Sequence, residues 1–342
     1  MLSCQNHDNK LSSQRFLRPL VDTVGFAHYP WQMDSIFKRI RRSGWEEKES
    51  STAWRMVICP HDDYTYVGKE YPELLQNVKA RNLIMIGVAH KAAKLGISDS
   101  LVFGTYRYWT GPWKKVPVSP AAEEIFRMLQ GKYAIISDTL QRVEHSLEAM
   151  VPFLQYFNRD ISIIPVLVPA MDTLRMDECG KALAGAIRSI ARRHGWKWGS
   201  DYAIVCTTDA VHYGNQEWGG SDYAFYGCDS LGNAKARDHE KEIIEKCLTG
   251  SVNPRNFRLF SSYTIKSDNY KDYKWTWCGR YSVPLALYTA YYLNDSKPLE
   301  GVLTGYSTSI TSVHIPVDDL VMGRTAIATE CHWVGYAALG YR

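Results

Sequence analysis

No stretch of this sequence approaches the ~18 continuous apolar residues of a membrane-spanning helix, so its 342 residues are read without a membrane span. The eight cysteines form no CxxC pair and no regular framework. A chain of this size folds without disulfides, and free thiols are expected. Charge of one sign is scarce too, with a net charge of only +4 and the basic residues spread along the chain. The densest basic cluster, "FKRIRRSGW" at 37–45, reads as a solvated helix face, so no nucleic-acid partner is expected. There is no internal repeat, low-complexity tract or convincing linker. The N-terminal "MLSCQNHDNKLSSQ" is polar. Leu2-Ser3-Cys4 resembles the tail of a bacterial lipoprotein signal whose apolar part is missing. The expectation is therefore a cytoplasmic protein, with lipid linkage at Cys4 as the alternative.

What is present in quantity is aromatic: 11 Trp and 22 Tyr. Their NH and OH groups need partners when buried, so many should lie at surfaces or line a cleft. The composition is 45% hydrophobic and 22% charged, which is ordinary for a globular protein and excludes wholesale disorder.

Short apolar runs alternate with amphipathic stretches. "WRMVICP" (54–60), "NLIMIGVAH" (82–90), "ISIIPVLVP" (161–169) and "DYAIVCTTDA" (201–210) read as strands. Helices are expected at 71–81, 119–131, 176–195, 234–250 and 280–293. Residues 144–157 look helical but interrupted by Pro152, and the C-terminal third reads as further strands. Strands buried on both faces and separated by helices predict a mixed, largely parallel sheet in an α/β sandwich. Residues 51–342 are taken as one domain, preceded by an N-terminal arm (1–50) carrying a short helix.

In such sheets ligands bind beyond the carboxyl ends of the strands. Three strands here end in polar groups: the first in His61, the second in His90, and the fourth in Asp209 and His212. Only ten histidines exist in the chain. Each of these residues has an ordinary reading as a loop or turn residue; three histidines at equivalent places point to a shared site. The spacing of Asp209 and His212 would let the carboxylate orient the imidazole for acid/base work or behind a metal. "RVEHSLEAMVPF" adds Glu144, His145 and Glu148. On a helix, Glu144 and Glu148 would share a face, and capping is as good a reading of Glu148 as function. Cys278, in "YKWTWCGRYSVPLAL", stands before an apolar helix, where a thiol becomes a better nucleophile or ligand; the alternative is a small buried hydrophobe.

Six motifs, "PHDDYTYVG", "IMIGVAH", "EHSLEAMVP", "SIIPVLVP", "CTTDAVHYG" and "TWCGRYSVPLAL", occur in the order and spacing of the Memo family. That family is also called AmmeMemoRadiSam system protein B. The resemblance runs from about residue 54 to the C-terminal "GYAALGY". It implies the three-layer α/β/α fold of class III extradiol dioxygenases. It also implies a metal site of His61, His90 and Cys278, with the Asp209–His212 pair as acid/base groups and Glu144 and His145 matching "EHS". Iron(II) would fit the dioxygenase likeness, copper the sulfur ligand, and zinc a hydrolytic site. Asp62 and Asp63 replace the usual Ala-Gly beside the first histidine, where they could enlarge the metal's shell, shift its preference toward harder ions, or point at solvent. Tyr64, Tyr66 and Tyr213 could bind an aromatic ring or seal the cleft. Lys91 and Met150 stand where relatives carry further histidines. The resemblance thus implies a metal-dependent redox enzyme acting on an unidentified small molecule or peptide. The alternatives are a non-catalytic peptide- or ligand-binding protein, and an accessory of a radical SAM modification system with AMMECR-type partners.

Overall fold

The structure, a computed structural model, describes residues 16–48 and 52–342; Cys4 lies outside them. In chain order the strands are β1 (Leu17–Arg18), β2 (Met56–Cys59), β3 (Asn82–Val88), β4 (Leu101–Phe103), β5 (Tyr108–Trp109), β6 (Val116–Pro117) and β7 (Ala134–Ile136). They continue with β8 (Ser162–Val168), β9 (Tyr202–Thr207), β10 (His212–Gly214), β11 (Gly250–Val252), β12 (Leu299–Thr308) and β13 (His332–Tyr341). One large mixed sheet runs β11-β12-β13-β2-β9-β3-β8-β4-β7, with β10 pairing β13. Its centre, β2-β9-β3-β8, is wholly parallel, and antiparallel pairs flank it.

The parallel centre follows from side chains that are apolar on both faces. Met56, Ile204, Ile84 and Ile164 lie in one row across the four strands and pack toward the helices Thr173–His194, Ser230–Leu248, Pro254–Thr264 and Ser282–Leu293. The alternate residues Val57, Val205, Leu83 and Ile163 face the opposite layer. There they meet Met33, Ile36, Phe37 and Ile40 of the helix Pro30–Arg42 and Phe153 of the helix Val151–Phe157. The period-two alternation thus loads both faces and gives three layers.

Two expected elements differ. The helix read at 71–81 is confined to Glu70–Leu75, because the chain turns so that Asn77 can accept the Trp54 backbone N–H. In 144–157, Glu144 is extended (φ −103°, ψ 134°). A 3-10 turn follows at Glu148–Met150, and only Val151–Phe157 is α-helical. Pro152 therefore starts the helix, in the first turn where its missing N–H costs nothing, and Glu144 and Glu148 share no helix face.

Candidate metal centre

The parallel order brings the ends of β2, β3 and β9 side by side. His61 follows β2 through Pro60, His90 follows β3, and Asp209 follows β9. His61 is almost fully buried. Its backbone N–H donates to Asp209 Oδ1 at 2.8 Å. Its Nε2 lies 3.6 Å from Asp209 Oδ2 and 3.7 Å from Cys278 Sγ. Cys278 reaches this point from the loop before the helix Ser282–Leu293, and its sulfur accepts the Asp209 N–H at 3.0 Å.

That loop passes very close to β9. Gly279 N–H donates to Thr208 Oγ1 at 2.9 Å, and a Cβ on Gly279 would lie 2.2 Å from the same oxygen. Gly279→Ala is expected to push the Cys278 loop off Asp209, costing about 1–3 kcal/mol and weakening metal uptake. A thermal melt and a metal titration unchanged from the parent would contradict this close approach.

A second cluster adjoins the first. His90 Nδ1 lies 2.7 Å from Glu144 Oε1. The His145 ring stacks on His90 with centroids 4.9 Å apart and lies 5.7 Å from His61. Glu144 therefore orients His90, as a carboxylate commonly orients a ligand imidazole. Asp209, expected to orient His212, turns instead to His61. His212 lines the same cavity and is braced by Trp218, with ring centroids 5.1 Å apart. The cavity, of about 360 Å³, also takes in Asp62 and Asp63.

Both of those aspartates have protein partners: Asp62 accepts from Tyr336 OH at 2.6 Å, and Asp63 from Thr325 N–H at 2.6 Å. The three tyrosines are committed elsewhere. Tyr64 donates to Ala149 O, Tyr66 to Ala326 O and Tyr213 to Gly227 O, and none of them lines the cavity. Met150 lies in the core, while Lys91 is exposed and reaches Glu144 only through its backbone N–H.

Burial sets the electrostatics. It pushes Asp62, Asp63 and Asp209 up to about 7, with a neighbouring aspartate adding to each. It also raises the Cys278 thiol well above its ordinary range, Asp209 adding to the effect. The imidazoles move the other way: His61 well down, His145 to about 4 and His212 to about 3, through burial and then His90. Burial is the largest influence on Glu144 and raises it, but the His90 hydrogen bond, the nearby His90 and His145 rings and the Lys91 N–H together leave the carboxyl lowered. Neutral imidazoles are the form that binds metals. Among the described residues, donors within 4.8 Å of one another make two sets, His61/His90/His145 and His61/Asp209/Cys278. The trio implied by resemblance straddles both sets, with His61 common to them. His61 Nδ1 and His212 Nε2 are buried without a protein partner. Unpaired polar atoms beside a nitrogen–sulfur–oxygen donor set fit a transition-metal ion.

Several contributors went unnoticed in the sequence. His332, at the start of β13, and Trp218 close one wall of the cavity, with rings 4.1 Å apart, and Asp22 closes another. Buried Glu240 accepts from Trp277 Nε1 at 2.7 Å and from Val211 N–H at 3.0 Å, so it ties together the loops carrying Cys278 and His212. A histidine just before "WVGYAAL" was the only available hint of His332.

These features define an α/β/α sandwich whose strand ends gather imidazoles, a carboxylate and a cysteine into two adjoining donor sets that meet at His61. The profile of the Memo-like proteins matches residues 25–323, and the chain belongs to the Memo family. It is 26% identical over 195 residues to a MEMO1 family protein of Methanosarcina barkeri, covering 56% of this chain and 66% of that one. It is 31% identical over 166 residues to one of Methanothermobacter thermautotrophicus, covering 47% and 55%. A third, from Methanosarcina mazei, is 23% identical over 241 residues, covering 69% and 77%. The matched stretch thus spans between half and two thirds of the first two relatives. No described helix is long and apolar enough to cross a membrane.

Proposed function

We propose that this chain is a metal-dependent redox enzyme holding iron(II) or copper at His61, His90 and Cys278, with Asp209 and His145 beside the ion. The observation that carries this reading is the buried convergence of His61 Nε2, Asp209 Oδ2 and Cys278 Sγ, joined through His61 to His90 and His145. When bound, such an ion would supply electron transfer or activation of a small oxidant at its open coordination positions. The residues around it do the rest. Glu144 fixes the ring of His90, and the Asp209 N–H stabilises the Cys278 sulfur as thiolate. Trp218 and His332 wall the cavity on the side of His212. Burial keeps His212 neutral, and negative charge arriving in the cavity would raise its basicity so that it can accept and return a proton. Zinc would fit the same donors but direct them to hydrolysis.

Metal binding should release protons. In the metal-free protein Asp209 titrates at about 7 and the Cys278 thiol higher, whereas an ion holds both ionised. Apparent affinity is therefore expected to rise with pH, and more protons are released at pH 6, where Asp209 is still protonated, than at pH 8. Calorimetric titration in two buffers of different ionisation enthalpy measures this; heats independent of buffer would sink the assignment of these ligands. The redox half has a separate test. Protein loaded anaerobically with iron or copper should cycle between two oxidation states under mild chemical reductant and oxidant. Binding of zinc alone would contradict it.

A further inference from the structure

A second cavity, of about 320 Å³, shares His90 with the first and is lined also by Cys278, Lys271, Tyr273, Arg280 and Tyr281. Arg280 is only 9% exposed. Its guanidinium lies over two rings, 3.6 Å from the Tyr273 centroid and 4.4 Å from that of Tyr281. One Nη donates to Lys271 O at 2.9 Å, but Nε is buried with no partner. The contrast with Arg18, the other buried arginine among the described residues, is direct. Arg18 has a carboxylate, Glu148, at 2.5 Å, whereas among the described residues no carboxylate forms an ion pair with Arg280.

A guanidinium does not lose its proton, so a buried one must be neutralised by an acceptor. Stacking on tyrosines orients it and leaves its edge available for the two oxygens of an oxyanion. Lys271, exposed, adds a second positive charge to the lining. The remaining wall is mostly apolar, with Val88, Ile97 and Val168 beside the single hydroxyl of Ser98, and the volume admits a small organic molecule rather than a folded partner.

We propose that this cavity receives the oxyanion head group, carboxylate or phosphate, of a small and largely apolar substrate, with Arg280 as its principal donor. The body of that substrate then lies against His90 and Cys278. Only this placement beside the reacting centre rests on the metal-enzyme reading; the anion site itself rests on Arg280.

The test uses full-length protein in metal-free and metal-loaded form, titrated with benzoate, phenyl phosphate and neutral benzamide, and read by calorimetry. At least one of the two anions is expected to bind the metal-free protein at millimolar concentration or better, and benzamide not. The tighter of the two identifies the head group. Arg280→Gln, with a melting curve like the parent's, should weaken that anion by at least about tenfold. The exposed Lys271→Met should weaken it by about two- to threefold. Binding of neither anion, equal binding of benzamide, or unchanged affinity in a folded Arg280→Gln protein overturns the proposal. Should Arg280→Gln not fold, unchanged affinity in Lys271→Met overturns it. A protein that binds the anion through Arg280 but takes up no metal would keep this site and remove the redox reading. A metal-loaded protein indifferent to both anions would do the reverse.

Discussion

His61→Ala is expected to weaken iron or copper binding by more than about a hundredfold, the largest effect of any single substitution at the centre. His61 belongs to both donor sets, His61/His90/His145 and His61/Asp209/Cys278, so among the described residues no alternative grouping survives its loss. Two further variants separate the sets. With the ion at His61, His90 and Cys278, Cys278→Ser should lose most of the affinity and remove any sulfur-to-metal charge-transfer band. His145→Ala should change affinity only modestly, since its ring mainly stacks on His90. The reverse ranking, with His145 essential and Cys278 dispensable, would move the ion to the three-histidine set. His61 is buried, so metal uptake is compared only between variants whose melting curves confirm a fold.

Arg18→Met is expected to cost about 3–5 kcal/mol of stability, far more than an ordinary surface change. Arg18 and Glu148 are nearly fully buried and 2.5 Å apart. Arg18 also donates through Nε to Gln141 O at 2.7 Å and through Nη2 to Glu144 O. Its guanidinium lies 4.1 Å from the Trp109 ring centroid. Removing it strands the Glu148 carboxylate, left with the Val21 and Asp22 N–H groups as donors. The same clamp holds the segment that presents Glu144 to His90 and the loop that carries Asp22 into the cavity. Metal affinity should therefore fall along with the melting temperature. Arg18→Met/Glu148→Gln should be less damaged than Arg18→Met, because no charge is left unpaired in the double variant. Equal stability of Arg18→Met and the parent would show that the buried pair does not hold this edge of the site.

The two effects differ in how far the sequence foretold them. His61 was legible because β2 is a short run buried on both faces, and such a strand can deliver a polar residue only at its end. The same holds for His90 after β3 and Asp209 after β9. Arg18 was not legible. It sits in the short irregular stretch "FLRPLVD" (16–22), which shows no helix or strand periodicity, and its carboxylate and carbonyl partners lie more than a hundred residues away. The sequence around Glu148 fits a cap as well as a functional group; in the fold it is the acceptor that ties down residues 18–22. The role of Glu144 was obscured by the helical pattern of 144–157, whose first residues are in fact extended and can therefore reach back to His90. Asp209 and His212 follow the spacing of an acid/base pair, but β10 begins at His212 and pairs with β13. That pairing carries the imidazole to Trp218 and leaves Asp209 to His61. His332, Trp218 and Asp22 come from three separate segments, and only the tertiary fold brings them together.

The central claim is that a redox metal occupies this centre, and its most direct test is the metal content of the untagged protein purified without oxygen. Elemental analysis should find near-stoichiometric iron or copper in the parent chain, lost in His61→Ala and in Cys278→Ser. A parent protein that stays metal-free after reconstitution with iron, copper and zinc would contradict the account, and would leave a Memo fold whose strand-end histidines serve binding without a metal.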